Sequence, residues 1–179
     1  MGFLLTVARA IDSLNEVIGR AVSWLALALV LIQFTVVILR YVFGIGSIFL
    51  QESLLYFHGA LFMLAAGYTL LHDGHVRVDI FYRDASLRYR ALVDLGGSLV
   101  LLLPVCGLIW TLSFDYVAMS WAIDEGSPET SGIPAVYLLK SAILAFAILV
   151  GLQGISLAIH AARRLAGYDD GGDRAPTTV

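Results

Sequence analysis

Four long apolar stretches divide the chain, and short segments that carry its charges separate them. The stretches are 21–39, 53–71, 95–114 and 141–159, and each has about 19–20 residues. A helix of that length covers the hydrocarbon core of a bilayer, which is roughly 30 Å thick. Because lipid offers no hydrogen-bond partner to the backbone, each stretch is predicted to be a helix. We therefore predict four transmembrane helices, over about 20–40, 50–71, 93–115 and 135–160.

The segment before the first span, FLLTVARAIDSLNEVIGR, has a mixed pattern. Its apolar residues follow helical spacing and its polar residues occupy the other face; the apolar set is Leu4, Val7, Ala8, Ile11, Leu14 and Ile18. This pattern predicts an amphipathic helix over about 3–19 that lies in the membrane interface. The alternative is an extension of the first span beyond the membrane.

Three other segments have recognisable local signals. Asp84 or Ser86 could cap a surface helix, SLRYRALVDL, that leads into the third span. Pro104 is expected to kink that span, because proline removes a backbone donor. The loop DEGSPETSGIPA is rich in turn formers and is expected to be extended. We predict one membrane domain over 1–165 and a disordered tail over 166–179.

The composition agrees with an all-α integral membrane protein. Of the 179 residues, 59% are hydrophobic and 14% are charged, against about 25% charged in a soluble domain. The net charge of −3 argues against a nucleic-acid partner. The single cysteine, Cys106, excludes an intrachain disulfide.

The arginines predict the orientation of the four spans. Nine of them fall on one side, in the N-terminal segment, the 72–91 segment and the C-terminal tail. The other side has Arg40 and, just inside the fourth span, Lys140. Positive charge favours the cytoplasmic side. We therefore expect both termini in the cytoplasm and the 115–133 loop outside.

Two polar residues lie inside the spans. Gln33 is about two turns before Arg40, and His58 about two turns after Glu52, so both should lie in the outer half of the membrane. We expect a hydrogen bond between them that joins the first two helices, worth about 1 kcal/mol or less. A proton-relay role for His58 is the alternative.

Charged residues at the outer rim are candidates for contact with a partner. Lys140 should lie roughly 9 Å inside its helix, where it could extend outward to pair with Asp115 or Glu52. Contact with a partner subunit is the alternative. Arg40 and Glu52 flank the first outer loop, RYVFGIGSIFLQE, and have the same two interpretations.

Residues 70–82, LLHDGHVRVDIFY, concentrate polar side chains after the second span. His72 and His75 are three apart, but Gly74 disfavours a helix there, and a metal site needs three or four converging ligands. The alternation after Gly74 favours an extended segment with His75, Arg77 and Asp79 on one side. We interpret it as a cytoplasmic corner that meets lipid headgroups.

The residues give no sign of catalysis or of a complete transport pathway. The spans have no acidic residue at mid-depth and no repeated helix interruption. There is no phosphate-binding loop and no nucleophile–base motif. We expect no enzymatic activity and no cofactor or metal, and we expect the chain to act together with another membrane protein.

The sequence resembles the small membrane subunit of tripartite ATP-independent periplasmic (TRAP) transporters. The resemblance rests on four spans, on Gln51-Glu52 at the start of the second, and on His75-Val76-Arg77-Val78-Asp79 after it. The forms HVRVDIFY, SPETSGIPAVYLLK and LQGIS resemble the branch labelled for mannitol or chloroaromatic compounds. Many members have a second glutamate where this chain has Gln51.

The resemblance implies a role as a scaffold in the bacterial inner membrane. A large permease subunit would carry an organic acid or related small solute with sodium, and a periplasmic solute-binding protein would deliver it. This chain would anchor the large subunit, with Arg40, Glu52 and Lys140 near the docking surface. His75, Arg77 and Asp79 would hold the cytoplasmic corner in shape.

Two other functions fit a small four-helix membrane protein. A b-type haem cytochrome subunit would need histidines in facing spans, whereas only His58 is embedded. A homo-oligomeric channel or assembly protein would function without a larger subunit. Both remain alternatives on the sequence alone.

Overall fold

The computed structural model describes residues 2–76, 82 and 85–168, and these residues form helices joined by turns and loops. The six α-helices are α1 (Gly2–Tyr41), α2 (Ile48–Leu64), α3 (Ala66–Leu71), α4 (Leu87–Gly96), α5 (Leu103–Ala122) and α6 (Val136–Leu165). A π-helical segment, Gly97–Leu102, joins α4 to α5. A bend at Ala65 separates α2 from α3.

The structure has four helices that are long and apolar enough to cross a membrane, which confirms the predicted fold class. They are Gly2–Tyr41, Ile48–Leu71, Leu87–Ala122 and Val136–Leu165. The second comprises α2 and α3, and the third comprises α4, the π-helical segment and α5. Loops 42–47 and 123–135 lie together at one end of the bundle, here called the loop end. The start of α1, residues 72–76 and the end of α6 lie at the other, here called the terminal end.

Helix α1 is one continuous helix of 40 residues. At 1.5 Å per residue it is about 60 Å long, twice the thickness of the hydrocarbon core. The amphipathic segment predicted over 3–19 is therefore the first half of the same helix as the first span. An ion pair from Arg20 to Glu16, four residues earlier, lies across the expected boundary and supports continuous helix there.

Helix α6 is the centre of the bundle, because it contacts every other helix. It has nine buried residues, most of them small: Ala147, Leu149, Val150, Gly151, Gln153, Gly154, Ser156, Ala158 and Ala161. Small residues let neighbouring backbones approach closely, which strengthens packing where no hydrophobic force acts between helices. Gly154 shows this directly, since Leu102 fills the space where its Cβ would be.

The irregularity expected at Pro104 is a π-helical segment just before it. Proline cannot donate a backbone hydrogen bond, and the preceding turns have widened so that the Leu103 N–H donates to the Ser98 carbonyl, five residues back. Such π-segments are a common way for a helix to absorb a local disruption.

Three helices end in the same hydrogen-bonded turn, the Schellman motif, with a left-handed residue just past the end. The left-handed residues are Asp73 after α3, Asp124 after α5 and Gly167 after α6, with φ of 54°, 46° and 80°. In each motif the next residue donates to a carbonyl five positions back, as Glu125 does to Ser120. Ser86 caps the start of α4 by accepting from Tyr89 N–H, as expected for one of the two cap candidates.

Candidate functional site

Glu52 fixes the shape of the long loop at the loop end. One carboxylate oxygen accepts a hydrogen bond from the Ser127 hydroxyl, and the other accepts from the Ile133 backbone N–H at 2.6 Å. Within the loop, the Ser127 N–H donates to the Ile133 carbonyl, and the Val136 N–H donates to the backbone carbonyl of Glu125. The loop is therefore folded back on itself, and the expectation of an extended segment is wrong, because Glu52 joins its two sides.

Lys140 pairs with Glu125, in contrast to the expected partners Asp115 and Glu52. Its ammonium donates to the Glu125 carboxylate and lies 4.0 Å from the centre of the Tyr116 ring, a cation–π contact. Only 15% of the Lys140 side chain is exposed. The hydrogen bond from Lys140 lowers the pKa of the Glu125 carboxyl below its ordinary value. Glu125 is the partner because the helix-ending turn at Asp124 brings it back over α6.

The three residues expected at an outer docking surface therefore differ in environment. Glu52 and Lys140 use their charged groups in contacts that hold loop 123–135. Arg40 is exposed at the end of α1 and, with Ser47 and Gln51, lines a small pocket. The exposed acidic residues near the same end are Asp115, Asp124 and Glu129. The loop end thus presents charges of both signs around a loop of fixed shape.

At the terminal end, His72 connects the segment after α3 to α1. His72 Nε2 lies 2.6 Å from a Glu16 carboxylate oxygen, and Arg20 Nε donates to the other oxygen at 2.6 Å. His75, the first residue of the expected corner set, is exposed. The other two, Arg77 and Asp79, lie outside the described residues.

A buried polar cluster joins the first half of α1 to α6. The Asp12 carboxylate accepts hydrogen bonds from Gln153 Nε2 at 2.8 Å and from the Ser156 hydroxyl at 2.6 Å. His160 Nε2 lies 3.1 Å from the other Asp12 oxygen and is the donor, because a carboxylate only accepts. Asn15 donates to Gln153 Oε1 at 2.9 Å. We call these five residues the Asp12 cluster.

The sequence contained a signal for this cluster. Gln153, Ser156 and His160 recur at the spacing of one helical face, and Asp12 and Asn15 share a face of α1. What the sequence did not show is that these two faces meet. The cluster joins α1 to α6, since each of its side-chain donors bonds to Asp12 or to a residue that itself bonds to Asp12.

Gln33 and His58 line the same groove between α1 and α2. The groove has a volume of about 650 Å³, and its other lining residues are apolar: Leu29, Val30, Phe34, Val37 and Leu54. Among the described residues, neither side chain has a hydrogen-bond partner, so the expected bond between them is absent. The His58 ring instead stacks on Phe62, one turn further along α2, with the centroids 5.9 Å apart.

The described residues show no arrangement suited to holding a metal ion, since no three His, Cys, Asp or Glu side chains converge there. The polar side chains described above have two kinds of environment. Some hold the bundle and its long loop in shape, and others, Gln33 and His58 among them, face outward.

Comparison with known proteins identifies a family. The model of the family described as "Tripartite ATP-independent periplasmic transporters, DctQ component" matches residues 10–165. No curated protein and no solved structure matches the chain.

Proposed function

This chain belongs to the DctQ-component family of tripartite ATP-independent periplasmic transporters, and we propose that it is the scaffold of its transporter. It holds a large permease subunit in the bacterial inner membrane and helps to dock a periplasmic solute-binding protein. The family match over residues 10–165 carries this proposal. The protein itself is a multi-pass membrane protein, the small component of such a transporter.

The way the chain uses its polar groups supports a static role. The Asp12 cluster and the Glu52 contacts join helices or loops that are distant in sequence. Their polar side chains are therefore used in internal contacts and are not available to line a transport pathway. Helix α6 contacts every other helix and has nine buried residues. A transport site would instead need polar groups or freed carbonyls open to a cavity at mid-membrane. We infer that solute and sodium pass through the large subunit.

The docking role belongs to the loop end, which we propose faces the periplasm while both termini face the cytoplasm. Loop 123–135 is held in one shape by Glu52 and Lys140, and so the cost of ordering it on binding is small. The exposed residues Arg40, Asp124 and Glu129 offer charges that a soluble protein can recognise. The solute is an organic acid or related small molecule, in keeping with the resemblance to the mannitol and chloroaromatic branch.

Co-purification tests the scaffold role. A tagged copy of the chain is expressed with the large membrane protein and the secreted binding protein encoded beside it, and the detergent-soluble complex is isolated. We expect the large protein in about equal amount, and solute uptake in cells that depends on both membrane chains. A tagged chain expressed without its neighbours is the control. Recovery of the chain alone, or as a homo-oligomer with its neighbours present, would overturn the proposal.

A further inference from the structure

The second half of α1 has little support from the rest of the chain. None of residues 20–41 is buried, whereas the buried residues of α1 are all in its first half: Ala8, Ile11, Asn15 and Gly19. Several bulky residues of the second half are exposed, Phe34 by 65%. This face could meet lipid, except for the two polar side chains in the groove.

Gln33 differs from the two residues of this half of α1 that carry an aliphatic hydroxyl group. The hydroxyls of Ser23 and Thr35 donate to carbonyls of their own helix, Thr35 to Leu31 at 2.8 Å. A glutamine amide has two donors and an acceptor, and within the described residues Gln33 uses its side chain in no hydrogen bond. His58, across the groove, is likewise exposed and unbonded there. Lipid chains cannot satisfy these groups, and an unsatisfied amide in hydrocarbon is costly.

We propose that the groove between α1 and α2 is the seat of a transmembrane helix of the large permease subunit, which places a hydroxyl or amide side chain between Gln33 and His58. This inference rests on the proposed function. A polar residue on the incoming helix would satisfy both groups at once, while its apolar neighbours fill the space along Val30, Phe34 and Leu54. Interhelical hydrogen bonds of this kind fix the register of membrane helices.

The shape of the surface argues against a second copy of this chain. A two-fold dimer presents the same patch from both sides, and two concave grooves facing each other would leave an unfilled space. A convex helix fits the groove, and the large subunit is the partner that would supply one. A helix in the groove would also cover the side of α1 that lines it, which includes the exposed residues Val30 and Phe34.

Photocrosslinking locates the partner. A photoreactive phenylalanine analogue replaces Phe34 in the groove or, as the control, Leu112, which is 72% exposed on α5; α5 packs on α6 and on neither α1 nor α2. Each variant is co-expressed with the large membrane protein and irradiated in native membranes. We expect the Phe34 position to capture the large protein several times more efficiently than the Leu112 position. Capture of a second copy, or of lipid alone, at Phe34 would overturn the inference.

Replacement of the two polar groups tests their part in the contact. The double variant Gln33→Leu with His58→Leu should retain roughly three- to tenfold less large subunit through detergent washing, as expected for the loss of one or two interhelical hydrogen bonds. Thr35→Val is the matched control and should retain it within twofold, because the Thr35 hydroxyl bonds its own helix. An unchanged retention in the double variant would contradict a polar contact. If the large protein copurifies yet avoids the groove, only this inference fails; if it never copurifies, the proposed function fails too.

Discussion

Asp12 accepts hydrogen bonds from three side chains of α6, and it is the residue through which the first half of α1 is joined to the centre of the bundle. A partly buried carboxylate is stabilised when donors surround it, and 21% of the Asp12 side chain is exposed. Here the donors are one amide, one hydroxyl and one imidazole. The same density of contacts makes each member sensitive to the loss of another.

Asp12→Ala should therefore destabilise the protein by about 1–3 kcal/mol, because the Gln153, Ser156 and His160 donors would be left without an acceptor. Thermal unfolding in detergent, followed by circular dichroism, measures the effect. Ser13→Ala, at an exposed position on the same helix, is the control and should stay near the wild-type midpoint. Equal midpoints for the two variants would show that the cluster contributes nothing to stability.

The Glu125–Lys140 pair should make the loop end sensitive to acid. The pKa of Glu125 is lowered in the folded chain from an ordinary value of 4.5, so the unfolded chain binds the proton more readily. The stability that the pair contributes is then present above about pH 4.5 and is lost as the pH falls through the lowered pKa. Protease cleavage of loop 123–135 should increase in that range.

Lys140→Met supplies the comparison for this pH dependence. Methionine keeps the length of the apolar stem without the charge, and it should make the loop more susceptible to cleavage at neutral pH and flatten the pH profile. A profile identical to that of the wild-type chain would mean that other carboxyl groups cause the acid effect.

At the scale of elements, close approach between helices depends on a few positions without a side chain. Gly67 of α3 is the clearest, since a Cβ there would collide with the Asn15 side chain and lie 3.1 Å from the Leu149 carbonyl oxygen. One residue therefore brings α1, α3 and α6 together. The same region carries the Asp12 cluster, so close packing and polar contacts stabilise the same junction.

Gly67→Ala should cost about 1–3 kcal/mol of stability, because the added methyl group must push α1 or α6 aside. Gly107→Ala on α5 is a control with the same chemical change, since a Cβ there meets nothing within 4 Å. That variant should be neutral or slightly more stable, given the helix propensity of alanine. Chemical or thermal unfolding of both variants in one detergent measures their stability. A destabilised Gly107→Ala together with an unaffected Gly67→Ala would contradict the prediction.

At the scale of the whole molecule, the two sides of the bundle differ. Helix α6 contacts every other helix, whereas none of residues 20–41 in the second half of α1 is buried. The two ends differ as well, since the loop end has a folded loop with exposed acidic residues. A scaffold needs this division, with a rigid centre and separate surfaces for a membrane partner and a soluble one.

Charge reversal at the loop end should weaken docking of the binding protein. The double variant Asp124→Lys with Glu129→Lys should raise the Kd of the reconstituted complex several-fold at low ionic strength, because exposed charges are each worth about 1 kcal/mol or less. The difference should shrink at 0.5 M salt as screening increases. Arg88→Glu, an exposed reversal at the terminal end, is the control, and an equal change in that variant would argue against docking at the loop end.

The sequence by itself determined the four membrane helices, a cap at Asp84 or Ser86 and a disruption near Pro104, because these depend on local composition and on the period of one helix. The same applies to the family resemblance, which rests on short motifs in fixed order. The family match confirmed it. The mannitol or chloroaromatic label stays a prediction.

Only the tertiary structure decided which polar groups meet. Gln33 and His58 share a groove without a bond, Lys140 binds Glu125, and His72 contacts Glu16. The sequence places each such residue along its own helix. Its partner depends on the rotation and tilt of two helices, which apolar packing against several neighbours sets together. In a chain with few polar residues, that packing determines which of them become structural contacts and which stay available to a partner.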